Sequence, residues 1–532
     1  MGEEFRGKSL AVINDLSNEE RLYLFRKARE LKEAMTRGDL PVIDSFRINN
    51  PNVGLYEVFL EDSTRTRESF KNAAKFHNVK VSSLNTDSSS FNKGESYSDT
   101  FNTLTGYDNN LFIIRSKLEG VCRWLEISAA EYADRNNLPF PPSFINAGDG
   151  KHEHPTQELL DEFTFMEDNN WATDSIHIAL VGDLFHGRTV HSKADGLTTF
   201  KSVTVDLIAP EELALPADYV KKMEANGFTV REFSSIAEYL AQKNIADKWY
   251  FTRPQLERMG DRVLQKQHEL RKSITFSEEF LDLLKPGTKF YHPLPRNKLY
   301  PVLPTYLDNT PLNGWERQSA NGMIVRIILL GMFSGHLGDD CAAKPSGTAA
   351  AEQAHFVEQI SVTSVDTTME SNEKHYSEGV RPISDGVVID HICKGDSSKE
   401  IRQHMTQIVS LLALHGKGGE WVSTSKKNED LFKGIIFRPG HEGLNTSDMK
   451  RLAAVSPGCT INIIKKGAIQ EKYRLHLPPK IYNLQGLSCS NPACISHPDH
   501  HELVPARFNK SAKGLLLCEY CGKSHTFKEI WT

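Results

Sequence analysis

The sequence predicts an α/β protein: two parallel-sheet α/β domains over residues 1–335, then an α+β domain, then a small β module that binds a metal. Three observations carry this. Apolar runs of strand length alternate with helix-length segments as far as residue 335, the pattern of parallel sheets crossed by helices. Residues 334–378 turn rich in small and polar residues, as a linker does. Four of the eight cysteines crowd into the last 44 residues.

The elements follow in order. Residues 19–35 read as an amphipathic helix behind Ser17 as N-cap. Residues 52–60 (NVGLYEVFL) and 110–114 (NLFII) read as strands, as do 175–181 (SIHIALV), ending at Gly182, and 202–208 (SVTVDLI). Parallel sheets place ligands at the carboxyl ends of such strands. Beyond the linker, in which a helix is expected near residues 349–360, strands are expected at 386–391, 433–437 and 459–464. Helices are expected at 396–415 and 447–454, which together make a compact α+β domain.

At 532 residues the chain exceeds what one core serves, so several domains are expected. Charged residues at 25% and hydrophobic ones at 39% are ordinary for a globular protein. A net charge of −6 speaks against a general nucleic-acid binder. The apolar run at 323–333 carries Arg326 and is far shorter than the roughly 18–20 residues that cross a bilayer. The start, MGEEFRGKSL, has neither the apolar core of a signal peptide nor a myristoylation pattern. The expected location is the cytoplasm, with no membrane and no nucleic acid as partner.

Cys489, Cys494, Cys518 and Cys521 form C-x4-C…C-x2-C. Two thiolate pairs on tight turns suit tetrahedral zinc, which favours soft sulfur ligands. The alternatives are disulfides, disfavoured in a reducing compartment, or chance clustering of core thiols. Four thiolates close the shell, so His497, His500 and His501 are not needed as ligands, and the zinc is structural.

The richest stretch is EDSTRTRESF, residues 61–70. After an apolar strand, Ser63, Thr64, Arg65 and Thr66 offer hydroxyls, a guanidinium and consecutive amides to an anion at a helix start. Alone, it equally describes a polar N-cap beside an exposed arginine. Other strand ends repeat the theme. Ser89 and Lys93 follow a strand in TDSSSFNKGES, Arg115 follows LFII, and His154 and Gln157 precede an apolar helix. Arg188 follows GDLFHG, Arg253 and Gln255 follow YF, and Leu294 lies in the HPLP that ends KFY.

In this order the segments STRTR, KGES, NAGDGKHEHPTQ, VGDLFHGRTVHS, TRPQ, HPLPR and NGMIVR resemble the transcarbamylases, above all the aspartate carbamoyltransferases, over residues 8–335. Residues 384–532, with SDGVVIDHI, CSNPACISH and CEYCGK, resemble the zinc-bearing regulatory chain of that enzyme. The resemblance implies a catalytic and a regulatory chain joined in one. The implied boundaries are a carbamoyl-phosphate domain at 1–152, completed by a helix at about 310–335, and an aspartate domain at 153–309. A linker at 336–380, a nucleotide-effector domain at 381–484 and a zinc domain at 485–532 follow.

The resemblance implies transfer of the carbamoyl group from carbamoyl phosphate to L-aspartate, a step toward pyrimidines. It assigns the phosphate to Ser63, Thr64, Arg65 and Thr66, and the carbonyl oxygen to Arg115, His154 and Thr66. It assigns the carbamoyl nitrogen to Gln157, the aspartate carboxylates to Arg188 and Arg253 with Gln255 assisting, and nearby backbone to Leu294. His154 reads as a neutral polariser, and the leaving phosphate as the base. Ser89 and Lys93 would come from a neighbouring subunit, which implies a homo-oligomer built on a catalytic trimer. ATP or CTP would meet Asp390, His391, Lys433, Asn462 and Lys472. Glu429 and Gly467 stand where the family carries a lysine and a tyrosine, so the domain reads equally as structural.

An ornithine-type enzyme is the nearest rival; it typically carries a cysteine where Pro293 stands, and its cationic substrate would meet Arg188 and Arg253 badly. A non-catalytic scaffold and a zinc-ribbon nucleic-acid binder are the rivals of other classes.

Overall fold

The structure, a computed structural model, describes residues 4–84, 95–107, 109–254, 267–342, 356–362, 383–395, 397–425, 428–511 and 514–531. Ser89, Lys93 and Gln255 lie outside the described residues. The chain divides into two compact units, residues 1–347 with 491–504, and residues 348–490 with 505–532.

In the first unit, β1 (Gly54–Phe59), β2 (Lys80–Ser83), β3 (Leu111–Ser116) and β4 (Ser143–Asp149) form a parallel sheet of order β2-β1-β3-β4. A second parallel sheet has the order β7-β6-β5-β8-β9. Its strands are β5 (Ser175–Val181), β6 (Ser202–Ile208), β7 (Thr229–Phe233), β8 (Lys248–Phe251) and β9 (Lys289–Tyr291). Central strands such as β3 are buried on both faces, which is why they read as unbroken apolar runs. The edge strand β2 is exposed along its length and carries no such run.

Helix α1 (Asn18–Arg37) opens with a capping box: the Ser17 hydroxyl accepts from the Glu20 amide at 3.3 Å, and the Glu20 carboxylate accepts from the Ser17 amide at 2.7 Å. Next come α2 (Thr64–Phe76), α3 (Val121–Asn136), α4 (Pro155–Asp168) and α5 (Trp315–Phe333). Helix α5 packs against α1, α2 and α4 at once, so Val325, Ile327, Ile328 and Leu329 are all fully buried. An apolar helix covered by neighbours needs no polar face. No helix among the described residues is long and apolar enough to cross a membrane.

The second unit is built on an antiparallel sheet of order β10-β15-β14-β11-β13-β12. Its strands are β10 (Val357–Gln359), β11 (Gly386–Gly395), β12 (Gly419–Ser425), β13 (Asn428–Pro439), β14 (Thr460–Lys465) and β15 (Ala468–Leu475). Helix α6 (Ser398–Leu411) packs on β11, β12 and β13, and α7 (Thr446–Val455) on β15, over a core that includes Ile389, Met405, Ile436 and Leu452. The helix expected near 349–360 is corrected where it can be seen. Residues 357–359 form β10 and pair with Tyr473–Leu475 at the sheet edge, a contact no local pattern reveals. A last antiparallel sheet joins β16 (Lys480–Tyr482), β17 (Arg507–Lys510), β18 (Leu516–Cys518) and β19 (Ser524–His525).

Candidate active site

Ser63 caps α2 with extended backbone, and its hydroxyl makes no capping bond. The first turn of α2 therefore presents amides and hydroxyls at the carboxyl end of β1, where the helix dipole favours an anion. This turn lines a cavity of about 890 Å³ within the first unit. Of the residues expected from sequence, Ser63, Thr64, Arg65, Thr66, Arg115, His154, Gln157, Arg188, Arg253 and Leu294 all line it. Among the described residues, the arginines that do so are Arg65, Arg115, Arg188, Arg253 and Arg326.

Backbone geometry holds two of them in place. Arg115, at the end of β3, donates to the Ala147 carbonyl at 2.9 Å, and Arg188 to the Gly150 carbonyl at 2.9 Å. Gly148 has φ +113°, and a side chain there would meet Arg115 Nη1 at 2.8 Å and Arg188 Cζ at 3.1 Å. Only glycine lets both guanidinium groups pass. Likewise Gly182, φ +118°, ends β5 so close to Thr252 that a Cβ would lie 2.5 Å from its carbonyl oxygen.

Glu61 was not anticipated. Its carboxylate lies 2.9 Å from Arg115 and 3.4 Å from Arg188, and so offsets the repulsion between the two. Burial, then the charge of Arg188, push the Arg115 guanidinium down to about 10, and Glu61 acts against that shift. Arg326 was also missed as a site residue. It is buried in α5 and donates to Ser69 at 2.9 Å and Thr156 at 3.1 Å. Its signal in the sequence was a lone charge inside an apolar helix.

His154 precedes α4, and its Nε2 lies 3.5 Å from the Thr66 hydroxyl. Burial, then Arg188, Arg115 and Arg326, hold its pKa well below the usual imidazole value. The ring is neutral at ordinary pH, so it polarises and does not carry charge. His292, in the HPLP loop, is pushed down to about 3, chiefly by burial. Leu294 lies in the left-handed region at φ +54°, and its amide donates to His292 Nδ1 at 2.7 Å.

The four cysteines converge. Cys489, Cys494, Cys518 and Cys521 are buried, and their sulfurs lie within 4.8 Å of one another. Cys489 Sγ and Cys521 Sγ are 3.7 Å apart, far from a disulfide. A tetrahedral metal with sulfur ligands at about 2.3 Å sets its sulfurs roughly 3.8 Å apart, so the donor set fits such an ion. His525 Nε2 stands 3.4 Å from Cys489 Sγ, a neighbour the sequence did not single out.

In the second unit, Asp390, His391, Lys433, Asn462 and Lys472 fall on the neighbouring strands β11, β13, β14 and β15. Lys433 Nζ lies 3.1 and 3.2 Å from the two Asp390 oxygens. Asn462 Nδ2 donates to Val388 at 3.4 Å, and its buried oxygen has no partner among the described residues. Gly467 makes the β14–β15 turn at φ +75°, with open space where a side chain would stand.

The aspartate/ornithine carbamoyltransferase family models match here, the carbamoyl-phosphate-binding domain over residues 8–167 and the Asp/Orn-binding domain over 174–332. The aspartate carbamoyltransferase regulatory chain matches in its allosteric domain over 378–476 and its metal-binding domain over 479–531. Protein PyrBI of Treponema denticola is 61% identical, covering 100% of this chain and 99% of its own. Protein PyrBI of Thermotoga maritima is 51% identical, with 100% of both chains covered. Among solved structures, the Trypanosoma cruzi aspartate transcarbamoylase in complex with carbamoyl phosphate and aspartate is 28% identical, with TM-score 0.52, over 62% of this chain and 97% of that one. The chain belongs to the aspartate carbamoyltransferase family, in the form that carries the catalytic and regulatory parts on one polypeptide.

Proposed function

We propose that the cavity joins carbamoyl phosphate to L-aspartate, giving N-carbamoyl-L-aspartate and phosphate, a step toward pyrimidines. The observation that carries this is the convergence of the Ser63–Thr66 turn, Arg115, neutral His154, Arg188 and Arg253 on one cavity. The aspartate amine attacks the carbamoyl carbon, a C–N bond forms and the C–O bond to phosphate breaks. The amine proton passes to the departing phosphate. Arg115, His154 and Thr66 stabilise the oxyanion, a contribution of about 3–4 kcal/mol for a well-placed donor. Gln157 meets the carbamoyl nitrogen; Arg188 and Arg253 each grip an aspartate carboxylate, assisted by Gln255 and the Leu294 backbone. The substrate is already activated, so positioning supplies the rest.

The domain boundaries expected from sequence belong to this reading. So do a trimer in which Ser89 and Lys93 complete a neighbour's cavity, ATP or CTP as effectors at Asp390, His391, Lys433, Asn462 and Lys472, and a cytoplasmic location. Zinc is the metal we assign to Cys489, Cys494, Cys518 and Cys521. It supplies a fixed fold there, and the cysteines take no part in the transfer. The test is formation of carbamoyl-aspartate by the purified protein; none at any aspartate concentration would end the reading.

A further inference from the structure

Gln157 lines the cavity, but what fixes its orientation lies below it. Its Nε2 donates to Asp161 Oδ1 at 2.9 Å, one turn further along α4. Asp161 is fully buried. The same oxygen accepts from Gln318 Nε2 at 2.6 Å, and the other from Lys193 Nζ at 2.8 Å. Gln318 in turn accepts the His292 amide at 2.9 Å, so this carboxylate also holds the loop that carries Leu294.

A carboxylate paired with a buried ammonium accepts hydrogen bonds and donates none. A carboxamide can be turned two ways, and its neighbours decide which. Only one turn places the Gln157 NH2 against Asp161, and that turn leaves Oε1 as the group available to a ligand. We infer that Asp161 is a positioning residue that locks the Gln157 oxygen toward the substrate, so that the cavity selects acyl phosphates bearing an amino group on the carbonyl carbon. This rests on the proposed contact between Gln157 and the carbamoyl nitrogen. An oxygen there accepts from the carbamoyl NH2; the flipped amide would set NH2 against NH2. A site that pairs a substrate N–H discriminates against the analogue that lacks it.

The test compares carbamoyl phosphate with acetyl phosphate, which puts a methyl in place of the amino group, at saturating aspartate. The full-length wild type, Asp161→Asn and Gln157→Ala are assayed. In Asp161→Asn the amide is free to flip, and the ratio of kcat/KM for the two donors is expected to fall about 10-fold, as it does in Gln157→Ala. A carboxylate with a structural role alone slows both donors equally. An unchanged ratio in Asp161→Asn, with a fall in Gln157→Ala, overturns the positioning role and leaves the Gln157 contact standing. An unchanged ratio in Gln157→Ala overturns that contact and the inference with it. Should Asp161→Asn not fold, the triple variant Asp161→Asn/Glu158→Gln/Lys193→Gln removes Lys193 together with both carboxylates it holds at 2.8 Å. The same fall is expected, and an unchanged ratio is fatal.

Discussion

The cavity and the strand face around Asp390 both gather cations, but they neutralise them differently. In the cavity, Arg115 and Arg188 are held by the neutral carbonyl oxygens of Ala147 and Gly150 and share one carboxylate, Glu61. On the strand face, Lys433 is matched by Asp390, both of whose oxygens lie within 3.2 Å. An anion entering the cavity meets positive charge already in position. An anion arriving at Lys433 must first compete with a carboxylate. What prepares a site for an anion is therefore the partners its cations keep, more than their number.

The largest break in the comparison is expected at Arg65, which lines the cavity from the first turn of α2. Arg65→Ala should lower kcat by about 10³-fold, on the order of 4 kcal/mol, with an unchanged thermal midpoint. Turnover near wild type would remove the phosphate from this turn.

A second expectation concerns stability. Burial pushes His77 and His191 down to about 4 and His292 to about 3, and His154 is held well below its usual value. Below about pH 6.5 the unfolded chain protonates these rings and the fold does not, so they weaken the fold as pH drops. Glu153 and Glu158 act in the opposite sense. Burial raises both, Glu153 to about 7, so the fold keeps protons that the unfolded chain releases, and they strengthen it as pH falls from there. His404 and His525 shift with these histidines, and Glu57, Glu162 and Glu502 with these carboxyls, so the two sets largely offset each other below 6.5. His77→Gln takes one imidazole out of the balance, so its stability relative to wild type, read from thermal midpoints, should rise as pH falls from 6.5 to 5, by up to about 1.4 kcal/mol per pH unit. A difference that does not change with pH contradicts the burial of a neutral His77.

Much of this was legible in the chain itself. Strands β5 and β6 occupy the residues expected, because strands buried on both faces must be apolar throughout. Helix α1 announced itself through Ser17 as its N-cap, and the structure adds Glu20 as the partner that completes the capping box. Strand β10 did not, since its partner Leu475 lies more than a hundred residues away and the nearby alanines favour a helix. In the cavity, the cations at strand ends were visible one by one. Glu61 was not, because it acts on side chains that only folding brings near; Arg188 lies 127 residues from it. Asp161 stands one turn from Gln157, but its hold on Gln318, 157 residues away, is invisible before folding.

Glu61 gives the sharper version of the comparison. Glu61→Gln keeps the shape but leaves Arg115 and Arg188 with no shared carboxylate, so they should drift apart. The expected loss is about 10- to 100-fold in kcat/KM for aspartate, or about 1.4–2.7 kcal/mol. A loss confined to carbamoyl phosphate would mean that Glu61 serves Arg115 alone.

The smallest effect is expected on the strand face, and its sign is the informative part. If Asp390 is what competes with an incoming triphosphate for Lys433, then Asp390→Asn should tighten ATP or CTP binding by about 2- to 5-fold, roughly 0.5–1 kcal/mol, without touching turnover in their absence. Lys433→Ala should weaken it by a similar factor. Calorimetric titration of both variants decides the matter. Weaker binding in Asp390→Asn would make that carboxylate a ligand, either through the nucleotide's hydroxyls or by orienting Lys433, and the strand face would then be a prepared site of another kind. The cavity holds its cations with carbonyl oxygens and a shared acid; the strand face would hold its own with an acid that also reads the ligand.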